Sequence, residues 1–440
     1  MAKRYAFWRS PSGSPHTKDD GKFAPTVLLS KIGEATSLNC GKIVRSGLRT
    51  VLASMQYEVA ISSLLSIIGP EDKELNETDT RKIVSEAIKA VVKKQGGAKP
   101  ISAAEFIANA NRQAADFFRQ PTKDFALITS LNLKEFPARS VEIEGCRISA
   151  LKNRSRFPMP DALAKQLNAA LFKEHVNSTE YLTVKVKTYG RSVHEATDTG
   201  LNALNLLRGL WNLFDTYGTT KVRLGGTRQK SIAVITTGPV HTLHQLDGKP
   251  AVDVYWYEPT YSEDSSLYQP KRGWKELEKD RKWATRRFKK HPFAAEVKNL
   301  VIRYSEALDQ TNLDVAFLQM WSMLEKITNT IGGKYDQTIR RATWIFNDDK
   351  VPKELLEFLR MRRNQFVHAA RASDDTEQIA YMMKRLIDPH LDLLIANSYQ
   401  VQSLREYGEF LGLPKNLSAL EARRDQINVA IRKSRPSRKK

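Results

Sequence analysis

Near the end of the chain, Arg363-Asn364-Gln365-Phe366-Val367-His368 bring together a fixed cation, an amide and an imidazole. These groups suit metal-free chemistry on an RNA phosphodiester. That reaction needs a group to take the 2′-hydroxyl proton, a cation to hold the extra charge on the phosphorane, and a proton for the departing 5′-oxygen. An imidazole titrates at about pH 6.5 and serves as base or acid, while a guanidinium stays charged and offers a fork of donors to phosphate oxygens. Asn364 precedes His368 by four residues, so on a helix the two share a face and the amide can orient the ring or the phosphate. Glu325, on a separate helical stretch, is a candidate to pair with Arg363 or His368 and hold it in position.

Arg363 and His368 are five residues apart, which at about 100° per residue sets them roughly 140° apart around a helix. Three arrangements reconcile them: a local irregularity, the long Arg363 stem reaching round, or a second protomer completing the site. Each residue also has a plain structural reading. His368, followed by Ala369-Ala370, can be a packed or capping residue; Arg363 can belong to a solvated basic face with Arg360, Arg362 and Arg371; Glu325, next to Lys326, can be part of a helix surface. Arg360, Arg362 and Arg371, together with Arg286 and Arg287 upstream, are the candidate RNA-binding side chains. Rival chemistries have little to stand on. His241-Thr242-Leu243-His244 has a zinc-compatible spacing without a nearby set of ligands to complete it, Gly225-Gly226 lacks the Lys-Ser/Thr of a phosphate loop, and no nucleophile-elbow signature occurs. The expectation is therefore neither metal nor cofactor.

Positioning these residues requires helices. Phe293, Val297, Leu300, Tyr304 and Leu308 are spaced 4, 3, 4 and 4, one apolar stripe; Leu313, Phe317, Met320, Leu324, Ile327 and Ile331 make a second, with Asn312 or Thr311 as cap and Gly332-Gly333 as the stop. Pro352 opens a third helix through Leu355, Leu359, Phe366 and Ala370, which carries the Arg-Asn-x-x-x-His residues. A fourth begins near Ser373-Asp374-Asp375 and carries Ile379, Met383, Leu386 and Leu393, with a kink expected at Pro389. Four such helices predict an antiparallel bundle.

Phe317-Leu318-Gln319-Met320-Trp321-Ser322-Met323-Leu324-Glu325-Lys326-Ile327, followed two helices later by Arg363-Asn364-x-x-x-His368, resembles the HEPN superfamily and particularly its ApeA-like branch. A short helix at Ser403 to Leu411 and an Ala-rich helix at Val193 to Phe214 agree with it. The resemblance covers about residues 290–415 well, 180–260 loosely and the first 150 not at all. It implies an endoribonuclease whose catalytic residues are Arg363, Asn364, His368 and Glu325, working as a homodimer with one composite site. It also implies a bacterial growth-arrest or antiviral setting, with the region before residue 290 restraining or triggering the bundle, and an inhibitory or activating protein partner is a further expectation.

The rest of the chain reads as α+β. Turn-forming residues fill 1–25, helices are expected over 43–68, 78–94 and 102–119, and β-like stretches follow from Asp124 to Leu151, such as 125–128 and 141–143. The run 181–189 alternates as a half-exposed strand, and strands are expected again at 231–236 and 252–257. Domain boundaries are thus expected at 26–157, 158–270 and 293–415. Residues 271–292 form a basic connection between the last two, and 416–440 a basic tail whose end, 432–440, should be disordered. Lys271 to Lys290 mixes ten cations with Trp274, Trp283 and Phe288. It is either a phosphate-tracking helix that stacks bases or a connecting helix that buries its aromatics.

Against 49 acidic residues stand 70 Lys and Arg, a net charge of +21, so a polyanion is the first partner to expect: tRNA or another structured RNA. Two cysteines, Cys40 and Cys146, are too few for a disulfide framework or a Cys-based zinc site and read as buried thiols. No apolar run is long enough for a membrane span, so a cytoplasmic location without membrane contact is expected. Two alternatives remain: a non-catalytic RNA-binding or sensor protein, and a helical module that dimerises with another protein.

Overall fold

The structure is a computed structural model that describes residues 61, 62, 65, 75–95, 103–161, 163, 181–218, 231–261, 267–369 and 376–434. It is an α+β protein with a helical C-terminal region, as the sequence predicts. Two compact units divide the chain and neither is continuous: the first combines 1–126 with 187–200 and 243–247, the second 127–186 with 201–242 and 248–440.

In the first unit, α1 (Glu77–Gln95) and α2 (Ala103–Arg119) pack through Val84, Ile88 and Val91 against Phe106, Ala110 and Ala114. Helical spacing puts each set on one face. Asn76 caps α1 by accepting from the Asp79 backbone N–H at 2.7 Å. Ile61 joins this core; the rest of the helix expected over 43–68 lies outside the described residues, apart from Ser62 and Leu65.

Six strands form one sheet: β1 (Lys123–Leu131), β2 (Val141–Ile143), β3 (Cys146–Ala150), β4 (Leu182–Gly190), β5 (Val240–His244) and β6 (Trp256–Tyr257), in the order β2-β3-β4-β1-β5-β6. The β2–β3 hairpin turns at Glu144-Gly145, both with positive φ (48° and 72°), which suits the right-handed strand twist. Val184, Val186 and Thr188 are buried along β4, so its alternation is the one read in the sequence. The strand expected at 231–236 does not form, and of 252–257 only Trp256 and Tyr257 pair. Side-chain amides take the ladder's place over the first of these: Asn132 bonds Val234 and Thr236, and Asn212 bonds Val234 and Ile235. The strand lies further on, at β5.

The helical region follows α3 (Val193–Asp215) and comprises α4 (Trp274–Phe288), α5 (Ala294–Asp309), α6 (Leu313–Ile327), α7 (Tyr335–Ala342), α8 (Lys350–Ala369), α9 (Thr376–Ala396), α10 (Leu404–Phe410) and α11 (Leu417–Ser434). Val297, Leu300, Tyr304 and Leu308 of α5 are fully buried, and α6 packs on both α5 and α9. Of the two cap candidates Asn312 serves, accepting from Asp314 and Val315 N–H. The stop differs from expectation. Asn329 takes the left-handed conformation (φ 52°) and ends α6 at Ile327, so Ile331, expected in the apolar stripe, is 72% exposed. In α8 the buried leucines are Leu356 and Leu359, with Leu355 and Phe366 half-buried. Short α7, which no stripe predicts, stands between α6 and α8. The start expected for α9 at 373–375, and Ala370, lie outside the described residues.

Within the second unit α3 is bound to the helical region by polar groups that are almost wholly buried. Arg208 clamps Asp309 of α5 with two bonds, at 2.9 and 2.7 Å. Lys384 of α9 donates to Asp388 at 2.5 Å and to the Thr216 carbonyl at 2.9 Å, while Tyr304 donates to the same Asp388 at 2.7 Å. Gly209 lies so close to α5 that a Cβ there would sit 2.6 Å from the Val301 carbonyl. Segment 417–434, expected as part of a basic tail, is helix α11, capped by Asn416 and without a buried residue; it takes in Arg432, Lys433 and Ser434 of the run expected to be disordered. Its Leu, Ala, Glu, Arg and Gln residues favour helix without tertiary support. The remainder of the tail, 435–440, lies outside the described residues.

Candidate functional site

Helix α8 presents the candidate residues. Its first turn holds Pro352, where a missing N–H costs nothing, and the Lys350 N–H donates to Asp348 at 3.1 Å. Its second half carries Arg360, Arg362, Arg363 and His368. Helices α7 and α9 pack against it.

Arg363 is half-buried, and its guanidinium carbon lies 5.4 Å from the ring centre of Tyr335, the first residue of α7. The Tyr335 ring meets Trp321 of α6 edge-on at 6.1 Å, and the Trp321 indole N–H donates to Glu325 at 2.8 Å. Four side chains from three helices thus form one file: Glu325, Trp321, Tyr335, Arg363. The expected pairing of Glu325 with Arg363 is not formed among the described residues; the Glu325 carboxylate instead fixes the indole one turn before it. Asn364 is half-buried beside Arg363. His368 lies on α8 by its backbone, and its side chain lies outside the described residues, as does Arg371.

The remaining basic candidates divide. Arg360 is neutralised by Asp336 at 3.3 Å and Glu357 at 2.8 Å, so it offers little to RNA. Arg362 lies over the Phe358 ring at 5.4 Å. Arg286 and Arg287 are exposed at the end of α4. The aromatic residues of that helix face inward: Phe288 is buried, Trp274 packs on Trp211 at 5.3 Å and Trp283 on Phe214 at 6.1 Å, both rings belonging to α3. The burying account of residues 271–290 therefore holds for Phe288, while Trp274 and Trp283 are half-buried and Trp283 also lines a cleft.

His241 and His244 lie three apart on β5, hence on opposite faces, and cannot close on one ion from that strand. His241 sits 2.6 Å from the Thr129 hydroxyl and 3.9 Å from Glu258. Burial raises the pKa of Glu258, but nearby His241 and the hydrogen bonds donated by the Thr260 hydroxyl and N–H more than offset this and hold it at about 2. Cys146 is buried, and Cys40 lies outside the described residues. Among the described residues no three His, Cys, Asp or Glu side chains are grouped to hold a metal, and no helix is long and apolar enough to cross a membrane.

Tyr335 and Trp321 are the residues sequence reasoning missed. Trp321 stood within the quoted α6 stretch, and Tyr335 opens a helix that carries no apolar stripe. No family model, curated protein or solved structure matches the chain.

Proposed function

We propose that this protein is a metal-independent endoribonuclease of the HEPN type, in which the RNA 2′-hydroxyl attacks the adjacent phosphorus and displaces the 5′-oxygen. The products are a 2′,3′-cyclic phosphate and a 5′-hydroxyl. The observation that carries this reading is Arg363: half-buried, laid over Tyr335, and without a carboxylate partner among the described residues. A guanidinium held against a ring and left uncompensated is preorganised for a phosphate. In this reading Arg363 clamps the phosphate, His368 moves the proton as base or acid, and Asn364 orients the ring or the phosphate from the same face. Glu325 is a positioning residue, acting on Arg363 through Trp321 and Tyr335. The angular gap between Arg363 and His368 favours a site completed across a homodimer. The charge of +21 supports a polyanionic substrate such as tRNA. The setting we infer is bacterial growth arrest or antiviral defence, in the cytoplasm, under control of the rest of the chain or a protein partner.

The test is incubation of the purified protein with tRNA and structured RNA in EDTA, with His368→Ala and Arg363→Ala beside it. We expect cyclic-phosphate ends from the wild type and at least about a hundredfold less from either variant. Salt-sensitive binding with no cleavage would instead make the protein a sensor.

A further inference from the structure

A second basic site lies away from the motif helix. Arg286, Arg287, Lys289 and Lys290, from the end of α4 and the turn after it, line a cleft of about 630 Å³ against the last residues of α9. No acidic side chain lines it, and none of the four cations has a carboxylate partner among the described residues. Two helix C-termini meet there, Phe288 of α4 and Ala396 of α9. At about half a negative charge each, they balance roughly one of the four positive charges. About three remain.

The walls are flat as well as charged. Trp283, His291 and Pro292 line the same cleft. His291 sits 2.8 Å from the Leu394 carbonyl through Nε2, and its Nδ1 accepts from the Phe293 N–H at 3.3 Å; Nε2 therefore carries the proton. Burial lowers its pKa, so the ring is neutral near pH 7, with both nitrogens engaged. The cleft has charge and planar surface but no free acid or base. It can hold an anion but not cleave one. Its size is that of a site for one drug-sized ligand, which a nucleotide unit matches, and cations interleaved with planar rings fit a single strand better than a duplex.

We propose that this cleft binds the phosphates and a base of single-stranded RNA, as a holding site separate from Arg363-Asn364-His368; the choice of RNA rests on the reading above. Helix α9 carries one wall of the cleft at its end. It begins seven residues after the motif helix ends and reaches the cleft at its other end, 21 residues on. At 1.5 Å per residue α9 is about 30 Å long.

The experiment measures binding of fluorescent single-stranded RNA, about 20 nucleotides long, to the full chain over a range of salt. The variant combines Arg286→Gln, Arg287→Gln, Lys289→Gln and Lys290→Gln, all at exposed positions. Each phosphate contact contributes about 0.7 to the salt slope of single-strand binding, so the slope should shrink by about 2 to 3 and the affinity fall at least about tenfold at low salt. Lys82→Gln with Lys93→Gln, at exposed positions of α1 outside both sites, should bind like the wild type, and a 5-bromouridine strand should photocrosslink to the peptide containing Trp283 and His291. An unchanged slope and affinity in the fourfold variant would overturn the proposal. So would loss of polyglutamate binding with RNA binding intact, which would assign the cleft to an acidic protein. Absence of cyclic-phosphate ends in the same samples counts against the ribonuclease reading alone, since binding is read separately.

Discussion

At the scale of residues, the proposed ribonuclease site depends on what Glu325 does. Its carboxylate accepts from the Trp321 N–H, and Trp321 in turn backs the Tyr335 ring that carries Arg363. Glu325→Gln keeps an acceptor in the same place, so cleavage should stay within about threefold of wild type. Glu325→Ala strands a buried indole N–H, which costs about 1–3 kcal/mol, and loosens the wall beneath Arg363, which should cost tenfold or more in kcat. Equal loss in both variants would show that the negative charge itself acts on the reaction. Arg363, Asn364 and His368 are visible in the sequence because they fall within six residues of one helix, with Asn364 and His368 four apart on one face. Tyr335 and Trp321 are not, because their meeting depends on how α6, α7 and α8 pack, which no local pattern encodes.

At the scale of elements, the packed face of each helix was legible where apolar spacing was strict, as in α5, where Val297, Leu300, Tyr304 and Leu308 are all buried. Ends were harder to read. Gly332-Gly333 looks like a stop, but Asn329 reaches the left-handed conformation first, and Arg341 donates to the carbonyls of Thr328 and Asn329 that the ending leaves open. His390 joins elements with no shared local signal: Nε2 meets the Ala342 carbonyl at the end of α7 and Nδ1 meets the Tyr407 hydroxyl of α10, each at 3.0 Å. Burial lowers its pKa to about 4 against 6.5 for a free histidine, although the Ala342 carbonyl opposes the shift. The unfolded chain therefore takes up a proton below about pH 6.5 that the folded chain refuses until about pH 4. The ring's contribution is complete above that window and is lost as pH falls through it, by on the order of 3 kcal/mol. Urea titrations between pH 7 and 4.5 should show this slope in wild type and a shallower one in His390→Gln; parallel curves would refute the assignment.

On the scale of the whole molecule, buried polar groups decide what belongs together. Lys384 and Asp388 on α9 reach the Thr216 carbonyl just past α3 and Tyr304 on α5. Lys384→Ala would leave a buried carboxylate without its cation and should cost about 3–5 kcal/mol at neutral pH. The loss should shrink in acid, where the carboxyl is neutral. A denaturant midpoint that does not move, or a loss independent of pH, would refute this. The two-unit organisation was not legible in the sequence, since each unit is assembled from distant segments and contiguous stretches are what composition and turns mark out.

Arg208 and its neighbour Gly209 also bear on descent. A recombination that carried residues 293–415 alone into another chain would strip Asp309 of its guanidinium and expose the strip of α5 against which Gly209 lies. The helical region and the segment containing α3 must therefore be inherited as one piece. Rearrangements that preserve the protein should have their breakpoints ahead of both or behind both.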